Sequence, residues 1–219
     1  YINMPKSGCT TIKNLIVRLD TGAFIDDPLT IHGRKDLMVH WKVDPDAVAA
    51  RLKTDIVFTF VRHPLKRSYS CFNEKIHFTS IYAFGKVRQY IAKRYGADFT
   101  DTPSLELHRA NFKRFLRFSQ ETIDKTNDMR RDPHWIPQSL VLAGSDRWRR
   151  PDFIGKVERF DAGMAAVLGL AGVTCDFDTP RMNEGPPPPW RYEEILDDEI
   201  REMGAALFAD DLRNFGYVL

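Results

Sequence analysis

Apolar and polar positions recur along this chain at two periods, near 3.6 and near 2. Tyr1–Met4 reads as the end of a buried strand. After a loop at Pro5–Thr10, Ile12, Leu15, Ile16 and Leu19 share one helix face, so a helix is predicted to about Leu19. Residues 20–45 read as loop, with Asp26-Asp27-Pro28 and Asp44-Pro45 as breaks, and Ala47–Leu52 as a short helix. "DIVFTFV" (55–61) is a β-branched and aromatic run of strand length, expected to be buried on both faces. Pro64 suits the first turn of a helix running past Phe72, because its missing N–H has no helical partner there. Two more helices fit 82–95 and 104–118, and a polar, arginine-rich stretch fills 119–150. "DFIGKVE" (152–158) reads as another strand, followed by a helix through "MAAVLGLAG". "GPPPPW" (185–190) is an extended spacer, and one acidic helix at about 193–208 closes the chain. Strands that alternate with helices predict an α/β fold: a central parallel sheet flanked by helices, a P-loop-like three-layer sandwich. The expectation is one domain over 1–219, with a helical, basic insertion at about 78–150. In such sheets ligands sit beyond the C-terminal strand ends, where both Pro5–Thr10 and Arg62–Pro64 fall.

Composition changes this picture little. A chain of 219 residues with 43% hydrophobic and 28% charged content can bury a core. The net charge of +2 is too small to argue for nucleic acid. Its distribution is uneven. Residues 86–150 hold 14 Lys and Arg against 8 Asp and Glu, a net of +6, and residues 151–219 hold 6 against 14, a net of −8. A basic middle suits an anionic ligand; it also suits a solvated helical surface, the commoner reason for charge runs. Cys9, Cys71 and Cys175 are odd in number and widely spaced, which speaks against a disulfide framework or a zinc site. There is no Asn-x-Ser/Thr sequon, and no apolar run nears the roughly 18 residues of a membrane span. These features favour a reducing, cytoplasmic setting. The start inside a strand leaves room for an upstream leader or membrane anchor.

Two motifs carry the chemistry. "NMPKSGCTTIKN" (3–14) resembles a phosphate loop with its lysine displaced: Lys6 precedes Gly8, whereas the lysine of a Walker A loop follows the last glycine. Gly8 lets the backbone approach an anion. The N–H groups of residues 7–11 would face it at the positive end of a helix, with hydroxyls from Ser7, Thr10 and Thr11. Alone this is also an ordinary strand-turn-helix connection. "VRHPLKRSYSCF" (61–72) adds Arg62 at a strand end and Ser70 two helical turns on, able to clamp one dianion together.

Together these strings resemble the sulfotransferases that use 3′-phosphoadenosine 5′-phosphosulfate (PAPS), in the carbohydrate branch. That family has a "PKxGxT" loop for the 5′-phosphosulfate and an "RxPxxRxxSxY" motif for the 3′-phosphate. "DPHWIPQ" (132–138), "DFIGKVERFD" (152–161) and "DLRNFGY" (211–217) resemble further elements in the expected order. The resemblance implies PAPS as co-substrate, transfer without a metal, and a hydroxyl acceptor on a glycan or glycolipid. It implies donor contacts from Pro5, Lys6, Ser7, Gly8, Cys9, Thr10, Thr11, Arg62 and Ser70, with Arg181 in a loop that closes over the nucleotide. Lys6 would offset charge growing on the leaving phosphate.

A base must take the acceptor's proton. His40, 22 residues before Arg62, lies at an offset close to that of the catalytic histidine of the uronyl 2-O branch and is the first candidate. His134, in the "HW" element shared with the chondroitin 4-O-type branch, is the second. His63 is expected to cap the next helix, and His77 and His108 to lie on helix surfaces. Glu158 reads as structural, and Arg67 as anchoring a loop through a carboxylate. The 4-O-type enzymes carry cysteines after their "HW" element, whereas "SLVLAGSDRW" has none. The chain therefore reads as a bacterial or otherwise non-Golgi member, and acceptor identity is not inherited. Two other readings remain: a nucleotide kinase with a degenerate P-loop, and a non-catalytic protein binding PAP or anionic glycans.

Overall fold

Phe58–Val61 forms strand β1, all four residues of which are buried, as its β-branched and aromatic run predicts. In this computed structural model, which describes residues 1–25, 27–33, 45–78, 82–146, 149–174 and 187–219, β1 pairs in parallel with β2 (Phe153–Lys156). The register sets Phe60 opposite Gly155. A Cβ at Gly155 would lie 2.5 Å from the Phe60 ring and one at Gly163 would lie 2.8 Å from it, so both glycines make room for that side chain. Asp152 fixes the start of the pairing. Its Oδ2 accepts from Val57 N at 2.8 Å, and its other oxygen accepts from Arg149 at 2.5 Å.

The described chain divides into two compact units, Tyr1–Val61 with Leu142–Glu184, and Arg62–Val141 with Gly185–Leu219. In the first, α1 (Cys9–Thr21) and α8 (Phe160–Leu170) pack on the strand pair. Ile12, Leu15, Phe58, Phe60, Met164 and Val167 form its core. Tyr1–Met4 is not a strand. It meets β1 through one backbone bond, Ile2 N to Phe58 O at 2.8 Å, and through Thr59 Oγ1 donating to Ile2 O. Within the expected loop at 20–45 there is a helix, α2 (Pro28–Gly33). The Asp-Pro pair read as a break is its start signal: Asp27 caps Thr30 N at 2.9 Å, and Pro28 occupies the first helical position. α3 (Pro45–Thr54) extends the short helix predicted there.

The second unit is helical. α4 (Pro64–Cys71) continues into a π-helical turn, Phe72–His77, closed by Phe78 N donating to Asn73 O. α5 (Tyr82–Tyr95) falls where periodicity placed it, and α6 (Leu105–Asp124) runs past its expected end. The polar stretch after it contains the start of α7 (Gln138–Asp146). The single acidic helix expected at the end is three: α9 (Tyr192–Ile195), α10 (Asp198–Leu207) and α11 (Ala209–Phe215). Asp197 breaks the run because its carboxylate caps Ile200 N at 2.8 Å, a bond open to it only outside the helix. Leu65, Phe72, Phe112, Phe115, Trp135, Ile200 and Phe208 lie within this unit's aromatic-rich core. His77 and His108, expected on the surface, are buried in it, 2% and 0% exposed, because their helix faces turn inward onto Phe72.

Candidate functional site

In the first unit the loop Pro5–Gly8 turns the chain into α1. Ser7 N donates to Met4 O at 3.3 Å, and Ile12 N donates to Gly8 O at 3.0 Å. Gly8 holds the left-handed conformation, φ 74°, at the N-cap of α1. An added Cβ there would meet the Phe160 ring at 3.3 Å besides being strained. Lys6 is also left-handed, φ 65°, at a cost of order 1 kcal/mol for a residue with a side chain. Sequence reasoning missed this strain. The first turn of α1 holds no acidic residue, and no side chain caps it from Gly8. The positive end of the α1 dipole thus has no acidic side chain in its first turn to offset it.

Behind the loop Thr10 meets His32, and His32 meets Lys13, two residues the sequence did not single out. Thr10, 4% exposed, places Oγ1 3.1 Å from His32 Nε2. Lys13, one turn on and 8% exposed, places Nζ 3.1 Å from His32 Nδ1. Burial of the Lys13 ammonium lowers its pKa from the ordinary lysine value, against an opposing influence from Cys9. The i, i+3 spacing of Thr10 and Lys13 was legible, but the histidine 19 residues beyond Lys13 was not.

In the second unit Arg62 directly follows β1, at its C-terminal end as expected. Its backbone is clamped by Gln138: Arg62 N donates to Oε1, and Nε2 donates to Arg62 O, both at 2.9 Å. Asp211, fully buried, holds Gln138 in turn. Oδ2 accepts from Gln138 N at 2.8 Å, and Oδ1 accepts from Ser139 N at 2.7 Å, so the carboxylate sits on the N-terminal N–H groups of α7. The "PQ" and "DLRNFGY" strings thus share one task, fixing the chain at Arg62. His63 caps α4 as predicted: Nδ1 accepts from Lys66 N at 3.4 Å, and Nε2–H donates to Val218 O at 2.8 Å. Ser70 lies near the end of α4 and is half-buried. Arg67, 1% exposed, does anchor a loop, donating to the carbonyls of Ile136 at 3.0 Å and of Pro133. Both of these acceptors are backbone carbonyls.

That loop presents His134. Its Nδ1–H donates to Asp132 Oδ1 at 2.6 Å, and its backbone N–H donates to the same oxygen at 2.9 Å. Burial pushes the Asp132 pKa up, but the two bonds from His134 and the charges of His134 and Arg130 outweigh it and hold the carboxyl below the ordinary aspartate value. Phe84 stands edge-on to the imidazole, ring centroids 5.1 Å apart. His40 and Arg181 lie outside the described residues, as does Cys175. Cys9 and Cys71 are free thiols. Glu158 is exposed on the 3₁₀ turn Val157–Arg159. Among the described residues no helix is long and apolar enough to cross a membrane.

The sequence pattern of the Sulfotransferase family matches residues 1–218. Carbohydrate sulfotransferase 14 of Homo sapiens is 29% identical over 177 residues, 77% of this chain and 43% of that protein. Carbohydrate sulfotransferase 9 of Homo sapiens is 24% identical over 190 residues, covering 84% of this chain and 41% of the relative. Carbohydrate sulfotransferase 11 of Rattus norvegicus is 27% identical over 182 residues, covering 80% and 50%. The chain thus spans about half the length, or less, of the curated relatives it matches. No solved structure gives a significant match.

Proposed function

This chain belongs to the sulfotransferase family, and from that premise we propose that it moves a sulfuryl group from PAPS to a hydroxyl of a carbohydrate. The observation that carries the reading is the loop at Pro5–Gly8: an uncapped helix N-terminus without acidic residues, entered through a strained lysine and a glycine that leaves no Cβ in the turn. Strain at Lys6 supports the reading, because strained backbone clusters at ligand-binding turns. We assign the 5′-phosphosulfate to Lys6, Ser7, Gly8, Cys9, Thr10 and Thr11, with Pro5 shaping the turn. Arg62 and Ser70 take the 3′-phosphate, and Arg181 joins the nucleotide contacts. The sheet is then the centre of a P-loop-like sandwich.

In the reaction the acceptor oxygen forms a bond to sulfur as the bond from sulfur to the phosphate oxygen breaks, and PAP leaves. Lys6 stabilises the charge that collects on the leaving oxygen. The acceptor's proton goes to a histidine. Of the two candidates, His134 lies among the described residues, with Asp132 as a carboxylate partner. Asp132 keeps the Nδ1 proton in place, so in the neutral ring Nε2 is the accepting nitrogen. His134 is therefore our assignment for the base.

Calorimetric titration with PAP, paired with transfer of labelled sulfate from PAPS to a panel of glycans, tests the proposal. Arg62→Ala is expected to weaken PAP binding by about 2–3 kcal/mol, the scale of a lost charge-assisted bond. Lys6→Ala is expected to cut turnover far more than it weakens PAP, since only differential binding of the transition state accelerates chemistry. A wild-type protein that ignores PAP and binds ATP instead would overturn the assignment.

A further inference from the structure

Lys13, His32 and Thr10 form a chain of hydrogen bonds whose direction is set by chemistry. An ammonium has donors and no acceptor, so His32 Nδ1 must accept from Lys13 Nζ. The neutral imidazole then carries its proton on Nε2, and Nε2–H donates to Thr10 Oγ1. Accepting from His32 leaves the Thr10 hydroxyl its hydrogen to donate, where donating to His32 would use that hydrogen up. That is the polarity an anion requires. The opposite tautomer would have Thr10 donate to Nε2 and turn its lone pairs to the loop, where they would repel a phosphate. The chain also links the loop to the buried cationic charge of Lys13.

We infer that His32 is a positioning residue for the donor loop, locked by Lys13 in the tautomer that fixes Thr10 as a hydrogen-bond donor to the donor's phosphosulfate. This rests on the reading of Pro5–Thr11 as the sulfuryl-donor loop. None of the sequence motifs includes His32, which lies on α2 and reaches the loop through Thr10. His32 itself is exposed, so replacing it need not disturb the core.

The test has two arms. Nitrogen-15 spectra of the wild-type imidazoles, assigned with a His32→Gln control, should show His32 protonated on Nε2 and bare on Nδ1 at neutral pH. A His32 protonated on Nδ1 overturns the inference without any ligand. In the second arm PAP affinity is measured for wild type, His32→Leu, His32→Gln and Thr10→Val. His32→Leu should weaken PAP about tenfold, the effect of losing one bond to a charged group. His32→Gln should stay within about threefold of wild type, because glutamine offers a donor and an acceptor in the same order. In a Thr10→Val background His32→Leu should have no further effect, since His32 acts through that hydroxyl. PAP binding by His32→Leu equal to wild type, or an undiminished loss in the Thr10→Val background, overturns the inference and leaves the donor reading standing. Wild type that binds no PAP overturns the donor reading, and the role of His32 with it.

Discussion

Asp132 and His134 show how much a single contact decides. A histidine near a possible acceptor is a weak signal, whereas one whose Nδ1–H is held at 2.6 Å by a carboxylate has a fixed tautomer and a defined accepting nitrogen. His134→Ala is expected to lose about two to four orders of magnitude in turnover, the usual worth of a general base, with PAP affinity unchanged. Asp132→Asn keeps the shape of the pair and should lose a smaller part of the same rate, again without a change in PAP affinity. Steady-state kinetics beside PAP titration separate the two quantities. Full activity in both variants would move the proton transfer to His40.

At the level of elements, the π-helical turn and α6 bring His77 and His108 together inside an aromatic core, rings 4.9 Å apart. Tyr69 donates its hydroxyl hydrogen to Trp190 O at 2.5 Å, so His108 Nε2–H donates to the Tyr69 oxygen at 3.1 Å. Burial depresses the His77 pKa to about 4, reinforced by the charge of Arg88 and opposed by Asp101. Burial, and then the neighbouring His77, likewise lower His108 to about 4. The sign follows from linkage. Both folded values lie below the unfolded histidine value of about 6.5, so the unfolded chain binds more protons between those limits. Stability is therefore complete above about pH 6.5 and falls as pH drops toward 4, by up to about 1.4 kcal/mol per pH unit for each ring. His77→Leu should lose less stability than wild type on going from pH 7 to pH 4.5, as read by urea unfolding at the two pH values. Parallel losses would mean that His77 is not buried neutral.

On the scale of the whole molecule, the second unit is fastened by one carboxylate that joins segments far apart in the chain. Asp211 accepts from Gln138 and Ser139, and Gln138 holds the backbone of Arg62, 76 residues away. Asp211→Ala leaves several buried donors unsatisfied at once and should cost about 3 kcal/mol or more. PAP affinity should fall with it, because Arg62 loses its clamp. Denaturant unfolding and PAP titration of that variant check both effects. A loss under about 1 kcal/mol would show that Gln138 holds Arg62 unaided.

The sequence by itself determined the local features: the helix at Cys9–Thr21, the buried run of β1, the cap at His63 and the two motif strings. Each is written within one turn or one strand, where periodicity and capping chemistry act. It also determined family membership, because strings such as "PKSGCTT" and "RHPLKRSYSCF" keep their residues and order whatever surrounds them. Tertiary structure alone decided which residues serve those strings. Only folding puts His32 on Thr10, Asp211 on Gln138 or Phe60 into the space left by Gly155 and Gly163, since each pairing spans tens of residues with no periodic trace. Burial of His77 and His108 was hidden for the same reason. A helix face carrying a histidine reads as polar, and its inward turn is set by the surrounding Phe72, Phe99 and Phe112, contributed by three segments that the chain brings together only in the folded core.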